Sequence, residues 1–234
     1  MTTLLAIESS TDLASVALLH QGQLISLELD SVATHSAGIL PAVQQVLAQA
    51  DLSLKHCDAL AFGCGPGAFT GLRTATGIVQ GLAFAAELAV IPIITLHAMA
   101  LAAQNQRNQT GDTAGDTDFL CLLDARMNEV YSAVYRYQTN QQSWQELQAP
   151  RLSALGQVEP AQANVLVCGR GVELEKPADT HLVCQMPHAR EIALLAQIEW
   201  LAGRFLRPEQ AQPLYLRNKI ALTTQERLQQ HKSQ

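Results

Sequence analysis

The sequence feature that most constrains the fold is a glycine-rich turn between an apolar run and a long alanine-rich segment, at residues 58–88. The apolar run 58–63 is typical of a buried strand. Turn residues then crowd together, namely Gly63, Gly65, Pro66 and Gly67. The backbone must therefore bend sharply here or approach another segment closely. The proline-free segment that follows predicts a helix over 70–88, which Thr70 can cap.

Small residues form a stripe along one face of this predicted helix, because they recur at three- and four-residue spacing. They are Thr70, Thr74, Gly77, Gly81 and Ala85. A glycine inside a helix costs about 0.8–1 kcal/mol relative to alanine, so two on one face indicate a packing reason. Two reasons remain open: close packing on the chain's own sheet, and contact with another subunit.

The glycine turn does not match the known phosphate-binding loops. A P-loop needs a lysine and a hydroxyl residue after its last glycine, but Leu72 and Arg73 follow Gly71. The dinucleotide fingerprint fails as well, since Thr70 stands at the place of its third glycine. Free backbone N–H groups at a helix start could still hold an anion, but that feature alone identifies no ligand.

The composition favours a globular chain that associates with other proteins. Of its 234 residues, 48% are hydrophobic and only 15% are charged, against about 25% charged in typical soluble proteins. A surface with so few charges suits subunit contact. The net charge of −6 argues against a chain that grips nucleic acid by itself.

The N-terminus lacks the basic region and long apolar run of a secretory signal, and we expect a cytoplasmic protein without membrane contact. The cysteines include no CxxC pair, so neither a zinc site nor a disulfide framework is indicated. We expect buried, reduced thiols at Cys57, Cys64, Cys121, Cys168 and Cys184.

The first part of the chain predicts a mixed sheet covered by helices. Three β-like runs within residues 3–29 form an antiparallel meander, and an amphipathic helix follows over 36–50. The strand and helix of 58–88, a strand at 89–95 and a helix at 96–104 complete this part. Helices that connect strands in this order are typical of crossover connections in an α/β domain.

The polar segment 105–118 predicts a linker between domains at 1–104 and 119–223, with a frayed tail at 224–234. The second domain repeats the start of the first. The segment LLDARMNEVYSAVY aligns without gaps with the earlier segment AIESSTDLASVALL. In this alignment Asp124 corresponds to Glu8. Further strands are predicted at 144–152, 165–168 and 182–185, and a helix at 189–205.

Three ordered segments, GPGAFTGLR, DARMNEVY and PLYLR, resemble signatures of the bacterial TsaB (YeaZ-like) family, with Ala68 replacing the usual serine. The motif residues are Gly65, Pro66, Gly67, Phe69, Thr70, Gly71, Arg73, Asp124, Arg126, Glu129 and Tyr131. The resemblance implies an α/β fold of two ribonuclease-H-like lobes with mixed central sheets, as in the actin, Hsp70 and sugar-kinase superfamily. The second lobe is expected to be smaller and degenerate.

The resemblance also implies a non-catalytic subunit in the formation of N6-threonylcarbamoyladenosine at position 37 of ANN-decoding tRNAs. Its expected partners are a TsaD-type transferase and a TsaE-type ATPase, or a second copy of the chain when the transferase is absent. Contact with tRNA is expected only through the complex. No intrinsic cofactor is expected, because the partner proteins use the ATP and the metal.

In the resembled family the helices 36–50 and 70–88 form the partner contact. Both retain apolar or small residues on more than one side. The residues assigned to the contact are Ile39, Val43, Leu47, Thr70, Thr74, Gly77, Ile78, Gly81 and Ala85.

Catalytic readings remain as alternatives. Glu8, Asp12 and Asp124 could form a carboxylate cluster for a cation or a cofactor, and also suit plain turn positions. His97 lacks the HxxxH partner found in the TsaD family, and Cys64 lacks a local nucleophile signature. Arg73, which opposes the helix dipole, is expected to contact an acceptor such as Glu8 or to face solvent. The runner-up functions are a small-molecule kinase of this superfamily, a peptidase, and a stand-alone homodimer.

Overall fold

The computed structural model describes residues 2–29, 35–111, 115–160, 163–175 and 177–217. The strands of the first sheet are β1 (Thr3–Glu8), β2 (Ala14–His20), β3 (Gln23–Leu29), β4 (Ala59–Gly65) and β5 (Ala89–Ile94). Those of the second are β6 (Thr117–Asp124), β7 (Glu129–Gln138), β8 (Ser143–Ala154), β9 (Val165–Cys168) and β10 (His181–Cys184). The helices are α1 (His35–Gln49), α2 (Phe69–Ala86), α3 (Thr95–Thr110) and α4 (Ala189–Leu201).

The two sheets have the same topology. The first has the order β3-β2-β1-β4-β5, and the second, read from its other edge, has β8-β7-β6-β9-β10. In each sheet the first three strands along the chain are antiparallel and the last two run parallel to the central strand. Glu8 and Asp124 end the two central strands, as the alignment of the two halves predicts. The predicted pair of α/β lobes with mixed sheets is confirmed.

The second lobe is the simpler one. In the first lobe α1 and α2 connect strands and pack on one face of the sheet, around Ile7, Leu18 and Phe62. In the described part of the second lobe, short 3-10 and loop segments replace those two helices. The lobe therefore buries less on that face, in a cluster around Leu122 and Leu166.

The two lobes exchange a helix. α3 follows the first sheet along the chain, but its residues Met99 and Ala103 pack on the second sheet with Phe119. α4 follows the second sheet, but Ile192 and Ala196 pack on the first. α4 thus lies within the range 119–223 assigned to the second lobe while it completes the core of the first. The physical unit is not a continuous stretch of chain.

The segment assigned to the linker is partly helical. α3 runs on to Thr110 and ends at Gly111, whose φ of 78° closes the helix. Inside the helix the Gln104 amide donates a hydrogen bond to Asn108 Oδ1 at 2.8 Å, which stabilises a polar turn that has no apolar periodicity. The connection to β6 is correspondingly short. The predicted tail, 224–234, lies outside the described residues.

Two smaller expectations are corrected. The cap of α2 is Ala68 rather than Thr70, because the chain enters the helix immediately after Gly67. All five cysteines are unpaired, and four are buried as expected, but Cys184 is exposed on the edge strand β10.

Within the part of the chain that the structure covers, no helix is both long enough and apolar enough to cross a membrane.

Candidate ligand cleft and partner face

Glu8 lies beneath the cleft between the lobes rather than inside it. Its side chain is fully buried, its Oε1 accepts a hydrogen bond from the Ser10 N–H at 2.5 Å, and Oε2 lies 3.5 Å from the Thr95 hydroxyl. Burial raises the pKa of this carboxyl. Gly63 leaves room for it, because a Cβ atom there would lie 1.7 Å from Oε2. Glu8 is therefore a poor candidate for binding an incoming cation.

The glycines of GPGAFTGLR give space to the turn that follows β1. A Cβ atom at Gly67 would lie 2.4 Å from the Ser10 carbonyl oxygen, and one at Gly71 would lie 1.8 Å from that of Ser9. The Ala68 N–H donates to the same Ser10 oxygen at 2.6 Å. The glycine turn thus packs against protein backbone, and the Gly65–Pro66 bond that leads into it is cis.

Asp12 and Asp124 come together at one cavity of about 780 Å³ between the lobes. Each pairs with an arginine: Asp12 with Arg170 at 3.0 Å and Asp124 with Arg126 at 3.2 Å. Of the three predicted carboxylates, the structure therefore gathers two. Because both carboxylates already pair with guanidinium groups, neither is a free ligand for a cation.

Arg73 contacts aromatic side chains and not Glu8. Its Nε–H donates to the Tyr215 hydroxyl at 3.1 Å, and its guanidinium carbon lies 4.1 Å from the centre of the Phe69 ring. Phe69 and Tyr215 are themselves 5.4 Å apart. The segment PLYLR thus closes one side of the cavity, a role that the sequence signature alone does not reveal.

The turn after β6 has an unusual backbone. Arg126, Met127 and Asn128 all have positive φ, at 65°, 58° and 59°, although the turn contains no glycine. Left-handed conformation costs about 1–2 kcal/mol per non-glycine residue. Arg217 anchors this turn from the C-terminal segment, since it donates to the Ala125 carbonyl at 2.8 Å and pairs with Glu129. Tyr131 lines the cavity beside it.

The other groups considered for catalysis are enclosed in the core. The His97 ring stacks on Tyr135 at 4.6 Å and meets the edge of Trp144 at 5.1 Å. Burial lowers the pKa of His97 to about 4 and raises the pKa of Cys64 to about 12, so both are neutral near pH 7. Among the described residues, no group of three His, Cys, Asp or Glu side chains is placed to hold a metal ion.

The stripe of small residues on α2 faces outward. Thr70, Gly77, Gly81 and Ala85 are exposed, and a Cβ atom at either glycine would meet no described atom within 4 Å. Packing on the chain's own sheet is carried instead by buried residues on the opposite side of the helix, such as Val79 and Ala83. Close packing on the chain's own sheet therefore does not explain the two glycines. Contact with another subunit is the explanation that stays open.

Three residues assigned to the partner contact lie in the core instead. Ile39, Val43 and Leu47 on α1 are buried against the first sheet, and Ile78 is partly buried beside them. The apolar stripe of α1 is needed by its own sheet, so it is not free for a partner.

The outer side of the two helices carries residues that the assignment omitted, namely Leu40, exposed by 45%, and Phe84, exposed by 77%. α1 contains no acidic or basic residue other than His35, and Arg73 is the one such residue within α2. This lack of charge can be read from the sequence, and it indicates that the outer side of the two helices is suited to contact with another protein. We use "α2 face" for Thr70, Thr74, Gly77, Gly81, Phe84 and Ala85.

Comparison with known proteins agrees with the fold. A protein named tRNA threonylcarbamoyladenosine biosynthesis protein TsaB from Haemophilus influenzae is 36% identical over 230 residues, with 93% of this chain and 94% of that protein covered. Its namesake from Escherichia coli is 33% identical over 93% of this chain and 96% of its own. This chain belongs to the TsaB family.

A solved structure of YeaZ from Pseudomonas aeruginosa matches with a TM-score of 0.79 and 35% identity, over 92% of this chain and all of that one. Residues 30–230 also match the family model "TsaD: tRNA N6-adenosine threonylcarbamoyltransferase". This chain is thus related to the TsaD family as well.

Proposed function

We propose that the chain is a non-catalytic subunit that docks a TsaD-type threonylcarbamoyl transferase through the α2 face. Membership of the TsaB family supports a role in the biosynthesis of threonylcarbamoyladenosine in tRNA. A TsaE-type ATPase joins the assembly in the cytoplasm, and tRNA is contacted through the complex. The ATP and the metal belong to the partner proteins.

The observation that carries this proposal is the open position above Gly77 and Gly81. Two helical glycines that pack against nothing cost stability without an internal gain. They allow a second helix to approach the α2 backbone closely, as small residues do at helix crossings. Phe84 stands beside them as an exposed apolar anchor, a residue type enriched at interface centres.

The low charge of the two outer helices supports a protein partner over nucleic acid. With the single cation Arg73 on the described part of α2, this side has little with which to neutralise phosphates. A partner helix pair of the same fold would bury about 800 Å² on each side, the usual size of a specific interface. A second copy of the chain fits the same face when the transferase is absent.

The non-catalytic role is supported by the state of the candidate groups. Glu8 is sealed beneath Ser10, the Cys64 thiol stays protonated, and His97 is stacked in the core. None of these presents a nucleophile or a base to the cleft, as acid–base or covalent catalysis requires.

The test is reconstituted threonylcarbamoyl transfer to tRNA with three protein sets: this chain plus the ATPase, the transferase plus the ATPase, and all three. We expect sustained activity only with all three proteins. Activity without the transferase would overturn the non-catalytic assignment and make the cleft between the lobes a candidate active site. Full activity without this chain would show that it is not a required subunit.

A further inference from the structure

Two of the five cysteines are neighbours on adjacent strands of the second sheet. β9 and β10 run parallel, and their register places Cys184 directly beside Cys168. Side chains at paired positions of a sheet leave it on the same face. The two thiols therefore lie side by side at one edge of the sheet. Cys121 on β6 points to the opposite face, in the cluster around Phe119.

The spacing of this pair is compatible with a disulfide. Neighbouring strands lie about 4.7–4.9 Å apart, and the Cα atoms of a disulfide are usually about 4.4–6.8 Å apart. The Cβ atoms must come within about 4.5 Å of each other, so β10 has to move slightly towards β9. β10 is free to do so, because it is an edge strand of four residues that pairs with β9 on one side only.

The two thiols differ in their access to solvent. Cys184 is exposed, whereas Cys168 is only 4% exposed and packs with Leu120 and Leu166. Burial, together with the neighbouring Cys184, raises the pKa of Cys168 to about 11. A dissolved oxidant therefore reaches Cys184 first. Cys168 is protected from direct attack, because the thiolate is the form that oxidants attack.

We propose that a hydroperoxide converts Cys168 and Cys184 into a reversible disulfide that joins β9 to β10. The Cys184 thiolate attacks the peroxide, so that an S–O bond forms, the O–O bond breaks, and water or an alcohol leaves. The Cys168 sulfur then attacks the sulfenic acid on Cys184. The S–S bond forms, the S–O bond breaks, and the hydroxyl group leaves as water with the Cys168 proton. Two thiols thus lose two electrons, which reduce one peroxide, and a dithiol reverses the reaction by exchange.

The proximity of the two sulfurs offsets the high pKa of Cys168. At pH 7 about one Cys168 thiol in 10⁴ is ionised. Groups that are held side by side, however, react as if each were present at about 10⁵ M or more. Proximity is thus the larger factor, and the second step needs no separate base.

The disulfide would close the segment between the two cysteines into a loop. This segment includes Arg170, which pairs with Asp12 of the first lobe at 3.0 Å. Oxidation therefore restrains a part of the second lobe that contacts the first. The inference concerns the outer edge of the second sheet, so it does not depend on the α2 face or on the proposed partner function.

The test treats the purified, reduced chain with hydrogen peroxide and maps its thiols. Free thiols counted in denaturant are expected to fall from five to three, and dithiothreitol should restore all five. Trypsin releases Cys168 in the peptide 152–170 and Cys184 in the peptide 171–190. Mass spectrometry before reduction should find these two peptides joined. An unchanged count of five thiols would overturn the proposal.

Matched variants separate the pair from the exposed thiol alone. In Cys168→Ala the second step is impossible, so peroxide should leave a sulfenic acid on Cys184 that dimedone traps. Cys57→Ala removes a buried thiol of the first lobe and should keep the joined peptides. Thermal unfolding of each reduced variant reports whether it is folded. If the wild-type chain instead yields a sulfinic acid at Cys184, or a disulfide between two chains, with Cys168 still a free thiol, the proposal is wrong.

Discussion

The carbonyl oxygen of Ser9 occupies the place that a side chain at Gly71 would need, since a Cβ atom at position 71 would lie 1.8 Å from that oxygen. The Ser9 hydroxyl in turn donates to the Gly71 carbonyl at 2.9 Å. The turn after β1 and the first turn of α2 are therefore locked together through backbone. The glycine motif, which does not match the known phosphate-binding loops, gives space here to the protein's own backbone.

Gly71→Ala is expected to destabilise the chain by about 3 kcal/mol, because two backbones must separate to admit one methyl group. Urea unfolding followed by circular dichroism measures the loss. The matched control is Gly77→Ala, in the same helix but facing open space. It is expected to stabilise the fold by about 0.8–1 kcal/mol through helix propensity alone. Similar effects at the two glycines would contradict the spacer role.

Glu8→Gln is expected to change how stability depends on pH. Because the folded-state pKa of Glu8 lies above its ordinary value of 4.5, the folded chain holds a proton that the unfolded chain has already lost. The wild-type protein therefore loses stability as the pH rises from 4.5 through the folded pKa. The glutamine variant lacks this loss and keeps an acceptor for the Ser10 N–H.

The stability difference between Glu8→Gln and wild type should accordingly grow in favour of the variant as the pH rises. Urea unfolding at a series of pH values measures it. Glu159→Gln, at an exposed position, is the control and should follow the wild-type profile. A difference that shrinks with rising pH would mean that the folded state stabilises the Glu8 carboxylate.

His97→Phe is expected to make stability less sensitive to acid. The pH dependence that His97 causes has the opposite sign to that of Glu8, because its stability is lost as the pH falls. The pKa of His97 falls from 6.5 to about 4 on folding, so the unfolded chain takes up a proton that the folded chain refuses. Stability is then lost as the pH falls from 6.5 towards 4, with a ceiling of about 3 kcal/mol. Phenylalanine keeps the stack on Tyr135 and cannot be protonated. Thermal unfolding from pH 7 to pH 4 should show a flatter profile for the variant, and an unchanged slope would contradict the assignment.

The repeated meander could be predicted because it leaves a local trace in the sequence. Glu8 and Asp124 end equivalent strands, and each is followed by a largely apolar strand that pairs back on the first. The exchange of α3 and α4 leaves no such trace. An amphipathic helix shows that one side is buried, but not which sheet covers it.

The partner residues show the same limit. Ile39, Val43 and Leu47 have the spacing of an apolar stripe, which is the same whether the stripe packs on the chain's own sheet or on a partner. In the structure they pack on the first sheet. Gly77 and Gly81 could be singled out from the sequence because glycine is costly inside a helix, and for that reason we assign them to the proposed partner face. The part that PLYLR plays in the cavity wall could not be predicted, because this segment meets the two lobes only in the folded chain.

Gly81→Leu tests the α2 face directly. The position is exposed and open, and leucine is a better helix former than glycine by about 0.8 kcal/mol, so the isolated chain should fold at least as stably. A bulky side chain there keeps a second helix away from the α2 backbone. We expect at least about tenfold weaker binding to the transferase, with the loss of about 1.4 kcal/mol that this implies.

Calorimetric titration against the transferase measures that affinity, and the reconstituted reaction should lose activity in parallel, with recovery at high concentration of the variant. Gly156→Leu, also at an open position but in the second lobe, is the matched control and should bind as the wild type does. If Gly81→Leu binds normally, the transferase docks elsewhere. If both leucine variants bind weakly, the added apolar side chain itself is responsible. Only a loss confined to Gly81→Leu identifies the glycine stripe as the surface on which the partner helix lies.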